Sequence, residues 1–313
     1  MGDWLEFSVQ TDPEVAEAVS EVFNRFGSGG AVIEQEFPEI EEAAHHDPHL
    51  ITKTFIPADD AQTRRALEEA LHHLSFIRHF PEPRIRLLPE TEWAESWKRH
   101  YYVQHIGERI VIVPSWTDYS PETKEVAIRL DPGMAFGTGL HPSTRLSLRA
   151  LERLIHPGAV VLDVGTGSGI LSIAAAKMGS PSVLALDTDP LAIKVAGENV
   201  DLNGVSERVK VVHGSIAVNA DGLRIRTDTD TGPVIAGPRL GGYDLTVANI
   251  LAGVIIGLAP ALAASLGPQG QLIVSGIIAD REEAVRAALA ESGLAARDRL
   301  QDGDWIALLA ART

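Results

Sequence analysis

"AVVLDVGTGSGILSIAAAKMG", residues 159–179, joins a nearly continuous apolar run to a glycine-rich turn and then to a helix-compatible stretch. A strand covered on both faces reads this way, because none of its positions has to meet water. Gly165, Gly167 and Gly169 follow at G-x-G-x-G spacing. A chain without Cβ atoms can approach a ligand there, and the next helix presents free N–H groups. A second apolar run, "VLALD" (183–187), ends in Asp187, 22 residues after Gly165. A carboxylate at that place suits both hydroxyls of a ribose. Together these features point to an adenosine-containing ligand at the carboxyl ends of two neighbouring parallel strands.

Downstream the alternation continues. Helix "PLAIKVAGENVDLNG", strands "VKVVHG" and "YDLTVANI", helix "GVIIGLAPALAASLG", strand "QLIVSGI" and helix "DREEAVRAALAESG" succeed one another. Strands alternating with helices of this length predict a doubly wound parallel sheet. The tail "AARDRLQDGDWIALLAAR" (295–312) breaks the rhythm, and its central glycine predicts an antiparallel hairpin that closes the sheet edge. Residues 220–242, rich in Thr, Asp, Gly and Pro, read as a surface insertion.

Upstream, residues 1–90 read as strand "WLEFSVQ", a helix opened by Asp12-Pro13, strands "AVIEQEF" and "LITKTFI", helix "DDAQTRRALEEALHHL" and strand "RIRLLP". That β-α-β-β-α-β order predicts a ferredoxin-like α+β domain. Residues 91–130 read as a linker, with a helix that sets Trp93 and Trp97 on one face to pack the junction. "ERIVIVPSW" and "KEVAIRL" follow as the two strands of a hairpin. Residues 131–313 form the expected ligand-binding domain.

Composition narrows the function. The net charge is −16, and residues 1–95 hold 20 Asp and Glu against 7 Lys and Arg. Gripping phosphates needs clustered cations, so direct nucleic-acid binding is not expected. The acidic excess suits solubility, or the steering of a basic partner. There is no cysteine, which excludes disulfides, thiolate-bound zinc and a cysteine nucleophile. No apolar run reaches the roughly 18–20 residues of a membrane span, and "MGDWLEFSVQ" has no basic or apolar leader. A cytoplasmic monomer is expected. His45, His46 and His49, and His72, His73 and His79, lack metal-site spacing, so no metal is expected.

The choice of adenosine ligand rests on spacing. Dinucleotide-binding turns carry G-x-G-x-x-G, whereas this turn is G-x-G-x-G. The terminal hairpin also suits the Rossmann-like sheet of class I methyltransferases, and so S-adenosylmethionine as cofactor. Asp163, just before the turn, suits the methionine amino group. A nicotinamide oxidoreductase is the alternative from another class. Strand "YDLTVANI" ends in Asn249, which suits both the N-cap of the next helix and a ligand contact, two compatible roles. Ile250 and Leu251 stand where amino-methylating enzymes commonly have prolines. No residue is singled out as catalytic; His141, bounded by glycine and proline, reads as fixing its loop.

"DPGMAFGTGLHPST" (131–144), "VLDVGTGSGILSIAAAKMG", "ALDTDPLAIKVAGENVDLNGV", "VANILAG" and "LIVSGI" stand in the order and spacing of the ribosomal protein L-eleven methyltransferase family, which the chain resembles over nearly its whole length. The resemblance implies methyl transfer from S-adenosylmethionine to lysine side-chain and N-terminal amines of that ribosomal protein, which the small N-terminal domain would recognise. It implies cofactor contacts at Thr144, Gly165, Asp187 and Asn249. Gly167 and Asp163 join them, and Phe136 and Thr138 lie with Gly137 and Gly139 in a segment resembling the family's lid. Another protein or RNA as substrate is the alternative.

Overall fold

The structure is a computed structural model that describes residues 3–11, 13–36, 49–76, 78–89, 102–131, 139, 141–219, 222–226 and 242–313. The chain divides into two compact units, 1–101 and 102–313.

The first unit runs β1 (Trp4–Thr11), α1 (Pro13–Phe26), β2 (Ser28–Glu36), β3 (His49–Pro57), α2 (Ala61–Ser75) and β4 (Arg84–Leu88). Its four strands lie in the order β2-β3-β1-β4, every pair antiparallel. Alternation along β1 turns Leu5, Phe7 and Val9 to one face, where they are buried with Val15, Val19 and Phe23 of α1 and Leu67 and Leu71 of α2. Asp60 caps α2 by accepting the Thr63 N–H at 2.9 Å.

The second unit opens with a three-stranded sheet, β5 (Gln104–Ile106), β6 (Ile110–Pro114) and β7 (Val126–Leu130). Here the structure corrects the expected hairpin. "ERIVIVPSW" and "KEVAIRL" supply β6 and β7, which are parallel; the antiparallel partner of β6 is β5. The 115–125 connection is long enough to carry the chain back to the starting end, which a tight turn cannot do. Ile106, Ile110, Ile112, Ile128 and Leu130 are buried in the same core as the main sheet, so this part of the predicted linker belongs with the second unit. Trp93 and Trp97 lie outside the described residues.

Next come α3 (Pro142–Leu154), β8 (Val160–Val164), α4 (Ile170–Lys177), β9 (Ser182–Asp187), α5 (Pro190–Leu202) and β10 (Val209–His213). A small hairpin, β11 (Ser215–Asn219) and β12 (Gly222–Arg226), precedes β13 (Tyr243–Asn249) and α6 (Ala252–Ser265). The chain ends with β14 (Leu266–Ile278), α7 (Glu282–Glu291), β15 (Leu294–Asp302) and β16 (Trp305–Arg312). Seven strands form one sheet in the order β10-β9-β8-β13-β14-β16-β15. The pairs from β10 to β14 are parallel, and β16 is antiparallel to both its neighbours. This is the Rossmann-like sheet with an antiparallel terminal hairpin expected from the sequence.

Alternation along β8 sets the layers. Leu162 and Val164 face one core with α6 and α7, and Val161 faces the other with α3 and α4. Asp163 shares the face of Val161, which aims its carboxyl at α4. Part of the supposed insertion, residues 222–226, is strand β12; residues 220, 221 and 227–241 lie outside the described residues. Among the described residues, no helix is long and apolar enough to cross a membrane.

Candidate functional site

The carboxyl ends of β8 and β9 meet at the glycine turn, and the carboxyl end of β13 meets the start of α3. After β8, Gly165, Gly167 and Gly169 have φ of +76°, +54° and +82°. Side chains are strained at such angles, so three alternate glycines fold the turn tightly onto the start of α4. Two of them also meet close neighbours. A Cβ on Gly165 would strike the Ile250 side chain, and one on Gly169 would press on Ala196 of α5 at 3.3 Å.

Asp163 lies beneath this turn and is wholly buried. Its Oδ2 accepts hydroxyl hydrogen bonds from Thr166 and Ser172, each 2.7 Å long, so the carboxyl braces the turn from inside. Burial raises its pKa to about 6, with the two hydroxyls pulling the other way and the Asp187 charge adding to the rise. Its Oδ1 has no hydrogen-bond partner among the described residues.

Asp187 closes β9. Its Oδ2 accepts the Gly167 N–H at 2.8 Å and its Oδ1 accepts the Asp189 N–H at 3.0 Å. The two bonds fix the carboxylate against the glycine turn, and an ionised carboxylate with about four acceptor positions keeps capacity for further donors.

Asn249 closes β13 and does not cap the next helix. The N-cap of α6 is Leu251, without a side-chain capping bond. Asn249 Nδ2 instead donates to Thr144 Oγ1 at 3.4 Å, and Asn249 Oδ1 is buried with no partner among the described residues. Ile250 turns its side chain onto Gly165, while its carbonyl oxygen occupies the space a Cβ on Gly276 would need. The residue that replaces a proline in this strand end therefore acts as a wedge between two glycines.

The segment 131–144 divides into two parts. Its end is helix: α3 starts at Pro142, with His141 as N-cap accepting the Ser143 N–H at Nδ1. The His141 ring stands edge-on to Trp305 at 4.4 Å, and burial lowers its pKa to about 4, with the nearby Arg145 charge adding to the fall. Thr144, fully buried, is thus delivered by the first turn of a helix. Ser275 of β14 anchors that turn by donating to the Ser143 carbonyl at 3.1 Å. Gly139, at φ +90°, brings the backbone against Ile112. Phe136, Gly137 and Thr138 lie outside the described residues.

A donor set of this kind fits an adenosyl-amino-acid ligand. A carboxylate faces a helix-opening glycine turn, and two buried oxygens, on Asp163 and Asn249, await partners. Comparison with known proteins gives the site its family. The family model described as Ribosomal protein L11 methyltransferase (PrmA) matches residues 3–313. The chain belongs to this family. It is 46% identical to the ribosomal protein L11 methyltransferase of Chloroflexus aurantiacus, covering 99% of this chain and 98% of that protein. It is 40% identical to that of Pelotomaculum thermopropionicum, with 98% of both chains covered. The crystal structure of ribosomal protein L11 methylase from Lactobacillus delbrueckii subsp. bulgaricus superposes with a TM-score of 0.57 at 37% identity. That match covers 68% of this chain and 100% of the solved one.

Within this member of the L11 methyltransferase family, the structure brings together Asp163, Gly165, Gly167 and Asp187 around one turn, and Thr144 with Asn249 beside it. Sequence reasoning missed Ser275 and Asn199. Asn199 was visible as an asparagine inside a helix, a position where its side chain usually has a reason to be buried and bonded.

Proposed function

We propose that this protein transfers methyl groups from S-adenosylmethionine to lysine side-chain and N-terminal amines of ribosomal protein L11. The match of the L11 methyltransferase family over residues 3–313 carries the reading. The glycine turn with Asp187 supports the cofactor. In this reading Asp187 takes the ribose hydroxyls, and Gly165 and Gly167 give the backbone its close approach. Asp163 holds the turn from below, and Thr144 and Asn249 border the reacting end. Phe136 and Thr138 complete the cofactor contacts from the preceding segment. The functional division is a substrate-recognition domain at 1–90 and a catalytic domain at 131–313, with the 102–130 part of the connecting stretch packed into the catalytic unit. The protein works as a cytoplasmic monomer, without direct nucleic-acid contact.

When bound, the cofactor supplies a methyl group already activated on a sulfonium sulfur. The chain's contribution is then alignment of a neutral amine, and positioning accounts for much of the acceleration in such displacements. A free lysine titrates near 10.4, so the amine has to shed a proton before it attacks. Asn249 Oδ1 is the acceptor suited to hold the amine N–H, because it is buried and has no partner among the described residues. His141 is a poor base for that proton. Its Nδ1 is engaged at the helix cap and its pKa lies at about 4, so the proton goes to solvent.

The test is incubation of the purified protein with methyl-labelled S-adenosylmethionine, purified L11 and ribosomal RNA, followed by mass spectrometry of the products. Methyl groups on L11 amines are expected. Label confined to RNA, or absent from L11, overturns the proposal.

A further inference from the structure

Asn199 of α5 and Asn203, the C-cap that follows its last residue, lie four residues apart and therefore on one face of the helix. Asn199 is 1% exposed. Its Nδ2 donates to the Ser168 carbonyl in the glycine turn at 2.9 Å, and its Oδ1 accepts the Asp131 N–H at 3.2 Å. One amide thus joins two backbone segments that are far apart in sequence. One is the floor of the proposed cofactor site, and the other is the point where the chain leaves β7. Asn203 makes a similar grip one turn later but does not reach the glycine turn: it accepts the Arg129 N–H at 2.9 Å and donates to the Arg129 carbonyl at 2.6 Å and the Asn199 carbonyl at 2.8 Å.

The bond to Ser168 matters because of where that residue sits. Its neighbour Gly167 gives its N–H to Asp187, and its other neighbour, Gly169, is the N-cap of α4. Gly169 has no side chain with which to cap, and its left-handed φ leaves the flanking peptide planes easily turned. Asn199 commits the Ser168 carbonyl to α5. Without that bond the Ser168 carbonyl is free to turn, and the segment that carries the Gly167 N–H to Asp187 loses its anchor on α5.

We propose that Asn199 is a positioning residue for cofactor binding, setting the glycine turn through Ser168 and coupling it to the backbone at Asp131. The proposal rests on the S-adenosylmethionine reading above. The test compares two near-isosteric variants. Asn199→Asp keeps an acceptor toward Asp131 but places an oxygen against the Ser168 carbonyl, whereas Asn203→Asp makes the same chemical change away from the turn. By calorimetric titration, Asn199→Asp is expected to raise the S-adenosylmethionine Kd about tenfold, as loss of a buried bond with a repulsion in its place should. The KM for L11 at saturating cofactor should stay unchanged, and Asn203→Asp should keep the wild-type Kd. Equal effects of the two variants, or no effect of Asn199→Asp, overturn the proposal while leaving the cofactor reading intact. No binding by the wild type overturns both.

Hydrogen exchange on the wild-type protein gives a second readout that needs no variant to fold. Adding S-adenosylmethionine should slow exchange of the Asp131 amide and leave the Arg129 amide unchanged. Unaltered exchange at Asp131 overturns the coupling.

Discussion

Asn249 Nδ2 and Thr144 Oγ1 lie 3.4 Å apart at the carboxyl edge of the sheet, although 105 residues separate them in the chain. The bond is long, yet it orients the amide so that Oδ1 stays buried and unpaired. Leaving a buried acceptor unsatisfied costs on the order of 1–3 kcal/mol, a cost that binding an amine N–H would remove. Asn249→Ala should therefore lower kcat/KM toward L11 by about ten- to a hundredfold, with little change in Tm. Steady-state rates with labelled cofactor measure it, and an unchanged kcat/KM removes Asn249 from the reacting end.

Asp187 serves both the fold of the turn and, as proposed, the ribose. Asp187→Asn keeps one carbonyl acceptor for the backbone and loses the charge. Asp187→Ala loses both the acceptors and the bonds to Gly167 and Asp189. S-adenosylmethionine affinity should fall in the order wild type, Asn, Ala, with at least about tenfold lost in Ala. Equal affinities for all three would put the ribose elsewhere.

Asp163 makes stability depend on pH in a direction opposite to that of a salt-bridged carboxylate. Its folded pKa of about 6 exceeds the ordinary 3.8, so between these values the folded state holds the extra proton. The stability it allows is fully present below about 3.8 and declines as pH rises through about 6, by on the order of 3 kcal/mol. Asp163→Asn cannot ionise. Its stability relative to wild type should therefore improve from pH 4.5 to pH 7 in urea denaturation by about 2 kcal/mol, the part of that loss that falls in this range. A constant difference across this range would mean that Asp163 does not titrate there.

The Ile250 wedge separates two kinds of glycine. Gly165→Ala adds left-handed strain of about 1–2 kcal/mol together with a collision against a movable side chain. Gly276→Ala, at φ +81°, collides with the Ile250 backbone carbonyl, which no side-chain change can move. In double-mutant cycles, Ile250→Ala should recover part of the loss from Gly165→Ala and none of the loss from Gly276→Ala. Chemical denaturation of the five variants and the wild type decides it, and equal coupling in the two cycles would contradict the geometry.

What could be read in advance followed from periodicity and from glycine. The alternation from Val160 to Glu291 and the turn at Gly303 specify the main sheet, because strands covered on both faces leave an unbroken apolar record. What escaped depended on pairing across space. Nothing local distinguishes a β6–β7 hairpin from the parallel pair observed. The β11–β12 hairpin was hidden because residues 222–226 sit at the edge of a turn-rich tract. The start of α3 was obscured because histidine is an uncommon N-cap, although Pro142 at the first helical position was the available sign. Within the site, the glycines and Asp187 stand in sequence-local motifs, whereas the Ser275–Ser143 and Asn199–Ser168 bonds join separate elements and leave no local trace.

The position of β16 has a consequence for how the molecule is made. β15 has only β16 as a neighbour, and β14 would be left with one open edge without it. During vectorial synthesis, residues 294–302 emerge with nothing to pair with, beside the bare edge of β14. Both edges stay open until 305–312 slide between them with their run of buried apolar side chains. Unpaired edges of this kind invite association between nascent chains. The last strand to be made is thus an interior one, and the sheet keeps two open edges until it arrives.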